Sequence, residues 1–427
     1  MKPLLLACAA LMSTPVMAQT VAITGGRLVV GDGSDPIDNG TVVITNGRVT
    51  AAGKGVVIPA GAQTIDAKGK WVTPGIVAGF SRLGLAGVDA VDASNDTAAR
   101  GAAFTAALDI APSVNPDVAA IAVNRAAGVT RAIVSPDAGN GIFGGQGALI
   151  DTGADFDAVT RARLYQFVEF GEAGAQKAGG SRSALIAGFR NALTEAREAQ
   201  AGVYRDDAQL KRADAQALGA VLSGQQKLLV HVESAPDILG VLALKREFPT
   251  VQFVIVGASE GWRVARQMAS AGVPVIASAL NDLPGSFEQI GATQSNIGRM
   301  KAAGVNVAIG MIDDNDTRQA QQSTQYAGNL VALTKVPGAT GLNWNDAFAA
   351  ITSKPAQIMG VGGDVGSLAA GRRGDVVIWD GDPLEVTSGV EAVWIDGVRQ
   401  PLTNRQTRLR DRYATPQEQG KPKAYDR

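Results

Sequence analysis

Trp71-Val72-Thr73-Pro74-Gly75-Ile76-Val77-Ala78-Gly79-Phe80-Ser81-Arg82 separates two kinds of sequence. Upstream lie short β-branched runs: Val21 to Thr24, Arg27 to Val30, Thr41 to Ile44 and Arg48 to Thr50. Gly25-Gly26, Gly31-Asp32-Gly33 and Asn46-Gly47 divide them, and Asn-Gly between two such runs predicts a tight hairpin. Downstream, apolar runs of strand length alternate with Ala- and Leu-rich amphipathic stretches. The runs Ile76–Phe80, Thr130–Ser135, Lys227–Val232, Val251–Val256, Val273–Ala277 and Val305–Ile309 are expected to be buried parallel strands. Pro274 sits at the start of its run, where a strand tolerates it. Helices are expected over Asp117–Ala127, Ser183–Ala199, Ala235–Glu247 and Ser259–Ala271.

Alternation over this length predicts an α/β fold, a TIM-like (β/α)8 barrel. A doubly wound open sheet is the alternative, and the first strand lacks the glycine-rich phosphate loop that would favour it. A second β-rich piece, Asp375 to Asp380 and Val390 to Ile395, closes with Asp396-Gly397. The predicted organisation is therefore a composite β-sandwich from residues 19–71 and 366–402 around a barrel of residues 72–365. Residues 403–427, polar and punctuated by Pro and Gly, are expected to form an extended tail.

Lys2, the apolar run Leu4–Met12 and Val16-Met17-Ala18 predict a signal peptide over 1–18, cleaved near Ala18, and a periplasmic or secreted protein. Leu5-Leu6-Ala7-Cys8 offers a lipoprotein alternative. Cys8 is the only cysteine, so downstream of it no disulfide, thiolate site or cysteine nucleophile is available. With 39 basic and 40 acidic residues, nothing points to nucleic acid. No second long apolar segment predicts a membrane span.

From Trp71 to Val77 the chain resembles the amidohydrolase superfamily, in its imidazolonepropionase-like branch. Gly128-Val129-Thr130-Arg131 is similar to that family's third-strand opening, and Leu229-Val230-His231-Val232 to its fifth-strand segment. Gly304 to Gly310 is similar to its eighth-strand segment. Ile351 to Ala356, Gly366 to Asp375 and Asp380-Gly381-Asp382-Pro383 resemble its closing signatures. The resemblance implies hydrolysis of carbon–nitrogen bonds at one or two divalent metals, zinc above all, at the C-terminal mouth of the barrel. Such a metal acidifies its bound water and polarises the scissile carbonyl. The implied ligands are a His-x-His pair on strand one, a lysine or glutamate on strand four and histidines on strands five and six. An aspartate on strand eight is the implied general base.

Most of those ligands are replaced here. Phe80-Ser81-Arg82 stands at the His-x-His offset, and Arg82 brings a permanent cation to a cation's place. Gly257 stands at the strand-six histidine, and Asp151 is aligned with the strand-four position. His231, the single histidine of the chain, alone matches a ligand. Direct alignment puts Ile312 at the strand-eight aspartate, with Asp313 one residue later. Asp313 and His231 are therefore the candidate catalytic residues, and Phe80, Arg82, Asp151 and Gly257 the candidate ligand pocket.

Each has a plainer reading. A lone histidine at a strand end usually serves a backbone partner, and Asp313-Asp314-Asn315-Asp316 suits a loop, with Asp316 or Thr317 as a helix cap. That run lacks the glycine and distal glutamate of an EF-hand. Glu233 and Glu260, just past strand ends, are the placement of ordinary loop acids. No nucleophile elbow accompanies His231.

Three functions follow as expectations. The first is a degenerate amidohydrolase without a bound metal, binding a small ligand through Arg82 or binding a catalytic paralogue. The second is a working C–N hydrolase with an altered or metal-poor site, using His231 and Asp313 with or without a metal such as zinc. The third is a structural subunit in a homo- or hetero-oligomer.

Overall fold

The computed structural model describes residues 20–88, 91–312 and 318–414. The signal-peptide segment, Asp313 and Thr317 lie outside the described residues.

Eight strands hydrogen-bond in chain order. They are β1 (Ile76–Ser81), β2 (Val129–Val134), β3 (Phe143–Asp151), β4 (Val159–Glu169), β5 (Lys227–Val232), β6 (Phe253–Gly257), β7 (Val275–Ala277) and β8 (Val307–Ile309). The sheet curls until β8 returns to β1. At that seam Met311 N donates to Phe80 O at 3.0 Å, and Val77 N and Ile309 N donate to Ile351 O and Ala350 O. Gly79 permits the approach, because a Cβ there would lie 2.4 Å from Ile309 O. The result is a nearly closed α/β barrel.

Apolar, β-branched residues build the strands, and their alternation divides the core. Outward residues such as Val230, Val232 and Ile255 pack beneath the helices. Inward residues, among them Val77, Phe80, Phe167, Leu229, Val254 and Ile276, fill the barrel with side chains. The helices fall close to their expected places: Ala119–Ala126, Arg182–Gln200, Ala235–Glu247 and Ala265–Ala271. Ser181 and Ser234 cap the second and third, accepting from Ala184 N and Asp237 N.

Two features of the barrel depart from expectation. The strand opened by Gly128 is the second of the sheet, not the third. β3 runs antiparallel to both neighbours, pairing Val134 with Ala148 and Phe143 with Val168. The antiparallel β3 thus takes a place that such a barrel gives to a parallel strand, and β4 is the strand that meets β5.

The two β-rich ends form one sheet, joined where Val376–Trp379 pairs antiparallel with Trp71–Pro74. Asn46-Gly47 makes the expected tight turn, both residues having positive φ. Thr20–Leu28 is one strand interrupted by bulges at its glycines, not two runs. The Asn46-Gly47 turn meets the turn at Asp396-Gly397, and Gly374 N donates to Gly47 O at 2.7 Å. Both halves bury residues in one cluster that includes Ile23, Ile44, Ile378 and Trp394. The shared core therefore lies on one sheet to which both ends contribute strands.

Arg131, fully buried on β2, ties this sheet to the end of the barrel away from the mouth. Its Nε and Nη2 donate to Asp375 at 2.7 and 2.9 Å, and Nη2 lies 2.8 Å from Asp396 Oδ1. The segment read as an extended tail opens instead with a helix, Arg405–Tyr413. Asn404 and Thr407 form a capping box there that offsets its polar composition.

Candidate functional site

β4 and β5 are parallel neighbours, and their register sets Glu169 opposite His231. Both side chains point inward at the C-terminal ends of their strands, the end where such barrels carry their chemistry. Glu169 Oε1 lies 2.7 Å from His231 Nδ1, and Glu233 Oε1 lies 3.1 Å from Nε2. The second oxygen of Glu233 accepts from Ser259 N at 2.8 Å. Burial works against charge on His231, but the two carboxylates outweigh it and hold the ring well above the usual histidine range. With a carboxylate oxygen within hydrogen-bond distance of each ring nitrogen, the geometry suits a ring protonated on both.

β6 ends at Gly257 with φ +96°, and a Cβ there would stand 2.5 Å from Glu233 Oε1. Glu288, on the turn after β7, accepts from Glu172 N at 2.8 Å. Burial pushes its carboxyl up. The Glu172 amide and His231 pull against that, while the charges of Glu172 and Glu233 reinforce it.

The structure gathers most of the residues singled out in the sequence. Phe80, Arg82, His231 and Gly257 all lie at the mouth end. Phe80 is buried inside the barrel, its ring centroid 6.0 Å from that of Phe167. Arg82 Nη2 is 3.5 Å from Asp137 Oδ1, and little of its side chain is exposed. Asp151 is elsewhere. Because β3 runs antiparallel, its end lies at the opposite pole, where Asp151 Oδ2 is 3.4 Å from Arg131. The strand-four position belongs instead to Glu169, which sequence reading missed. The one available signal was an acid inside the apolar run Phe167-Val168-Glu169-Phe170.

Glu233 and Glu260 do not act as a pair. Glu260 accepts from Ala235 N, Gly291 N and Arg263 Nη1, whereas Glu233 serves His231 and Ser259. The partners of His231 are carboxylates and not the backbone.

A divalent metal needs neutral imidazoles or anions with free lone pairs. The described residues at this mouth do not fit one: Phe80 offers none, both nitrogens of His231 are engaged, and Glu233 fills the space beside Gly257. Among the described residues no group of three or more His, Cys, Asp or Glu is disposed to hold a metal. No described helix is long and apolar enough to cross a membrane.

Comparison with known proteins agrees with the fold. The Amidohydrolase family profile matches residues 251–400. An amidohydrolase of Hapsidospora irregularis is 25% identical over 404 residues, covering 84% of this chain and 40% of that protein. The chain thus spans about two fifths of that relative. An imidazolonepropionase of Acidiphilium cryptum is 24% identical over 374 residues, covering 82% of this chain and 89% of the relative. The crystal structure of an amidohydrolase from Thermotoga maritima superposes with a TM-score of 0.78 at 23% identity, covering 90% of this chain and all of that one. A zinc complex of atrazine chlorohydrolase from Arthrobacter aurescens shares the fold, with a TM-score of 0.52 at 14% identity over 92% of this chain and 98% of that one. The profile match and these relatives support the amidohydrolase superfamily, in its imidazolonepropionase-like branch.

Proposed function

We propose that this chain is a catalytically degenerate amidohydrolase that keeps the hydrolase barrel and uses its mouth to bind a small ligand. The observation that carries the reading is the His231 ring bonded on both sides by Glu169 and Glu233, where the family's chemistry calls for open metal ligands. Phe80 in place of a ligand and Arg82 beside it support the same reading. Arg82 suits a carboxylate-bearing ligand such as an acyl-amino acid, which would exchange with Asp137 for the guanidinium. A catalytic paralogue docked at this mouth is the natural extension.

The test is calorimetry of the full chain against a panel of acyl-amino acids and acidic peptides, alongside an assay for amide hydrolysis. Binding that weakens at least about tenfold in Arg82→Ala, without turnover, is the expected result. Equal binding by wild type and Arg82→Ala would defeat the ligand assignment. Zinc-dependent turnover that disappears in His231→Ala would establish a working C–N hydrolase instead.

A further inference from the structure

We propose that Glu233 shuts the metal position of this barrel, because its carboxylate fills the volume left by the missing side chain at Gly257 and, with Glu169, locks His231 in a clamp that admits no divalent cation. The proposal deepens the degenerate reading above and rests on it.

The backbone sets the clamp. Gly257 and Ala258 both have positive φ, so the chain turns sharply as it leaves β6. Ala258 N then donates to Val232 O at 2.7 Å, and Glu260 N to Glu233 O at 3.0 Å. These bonds fasten the turn after β6 to the end of β5 and fix the backbone of Glu233. Its side chain is fixed in turn, one carboxylate oxygen on Ser259 N and the other on His231 Nε2. Glu233 is 4% exposed and has no oxygen left without a partner. A cation entering here must displace the hydrogen bonds that Glu233 makes with His231 and Ser259.

Charge alone would invite a cation. Glu169 and Glu233 flank one imidazole, and Glu288 interacts electrostatically with both Glu233 and His231. What excludes the metal is occupancy: Glu233 fills the volume beside Gly257, and both ring nitrogens of His231 and both oxygens of Glu233 are bonded. A side chain at position 257 would expel Glu233 from that volume, so the glycine and the glutamate are mutually dependent.

The test is zinc binding by the full chain, purified without a polyhistidine tag, followed by calorimetry and by NMR of its single imidazole. The wild type should show both ring nitrogens protonated at neutral pH and an imidazole signal unmoved by excess zinc. Glu233→Ala empties the volume while keeping Glu169, Glu288 and His231. It should bind zinc at least about tenfold more tightly than wild type, with a shifted imidazole signal. Glu233→Gln keeps the volume and should stay closed. A zinc-shifted imidazole in the wild type would overturn the clamp, as would a Gln variant that takes up zinc as readily as Ala. If Glu233→Ala fails to fold, the wild-type and Gln spectra still decide. Amide hydrolysis by a wild type whose imidazole ignores zinc would defeat the degenerate reading alone and leave the clamp standing.

Discussion

The carboxylate of Glu233 stands where a side chain on Gly257 would project, 2.5 Å from the position of its Cβ. Gly257 closes β6 and Glu233 lies just past the end of β5, and the glycine gives the glutamate its room.

Gly257→Ala should therefore be costly out of proportion to one methyl group. The backbone conformation alone, at φ +96°, costs about 1–3 kcal/mol for a residue with a Cβ. Displacement of Glu233 from Ser259 and His231 adds to it. Urea unfolding should show a loss in that range or larger, and an unchanged midpoint would contradict the packing described.

Phe80 stands at the family's ligand offset but behaves as barrel filling, buried against Phe167. Phe80→Ala should destabilise the protein by about 3–5 kcal/mol. A neutral result in thermal or chemical unfolding would mean that Phe80 is not part of the packed interior.

Asp151 supplies a pH signature remote from the mouth. Burial pushes its carboxyl up to about 6, Arg131 and the Gly153 amide oppose that, and the charges of Asp396 and Asp155 add to it. A raised folded-state value means that the folded protein holds the proton more tightly. The contribution to stability is full below the ordinary aspartate range and is lost as pH rises through about 6. Asp151→Asn should remove this dependence, on the order of 1–3 kcal/mol between acid and neutral pH. Unfolding free energies measured across that window will show it as a flatter profile, and an unchanged slope would rule Asp151 out.

His231 has the same sign in a different window. Its folded-state value is raised, so its stabilisation is present below the ordinary histidine range and is lost as pH climbs through the elevated value. Wild-type stability should fall on the alkaline side, and His231→Gln should lack that component. Matching alkaline profiles would contradict an imidazolium held by Glu169 and Glu233.

The barrel was legible because buried strands such as Leu228 to Val232 are continuous apolar runs, and such runs survive any change of chemistry at the mouth. The hairpin β3–β4 was not. Val159–Glu169 begins Val-Thr-Arg-Ala-Arg and turns apolar only from Leu164, so it lacks the signature of a buried strand, and its first residues are in fact half-buried or exposed. Missing that strand misplaced the strand-four position onto Asp151 and hid Glu169. His231, Arg82 and Gly257 could be found from family offsets. The partnership of Gly257 with Glu233 could not, because it depends on a positive φ and a carboxylate folded across from the next strand. The capped helix at Arg405 was hidden by charge, since its only local signal is Asn404 three residues before Thr407.

The most direct test of a mouth closed to metal is elemental analysis of the full chain, produced without a polyhistidine tag in zinc-supplemented cells and exhaustively dialysed. The account predicts far less than one equivalent of any divalent metal per chain. One or two retained equivalents would contradict it.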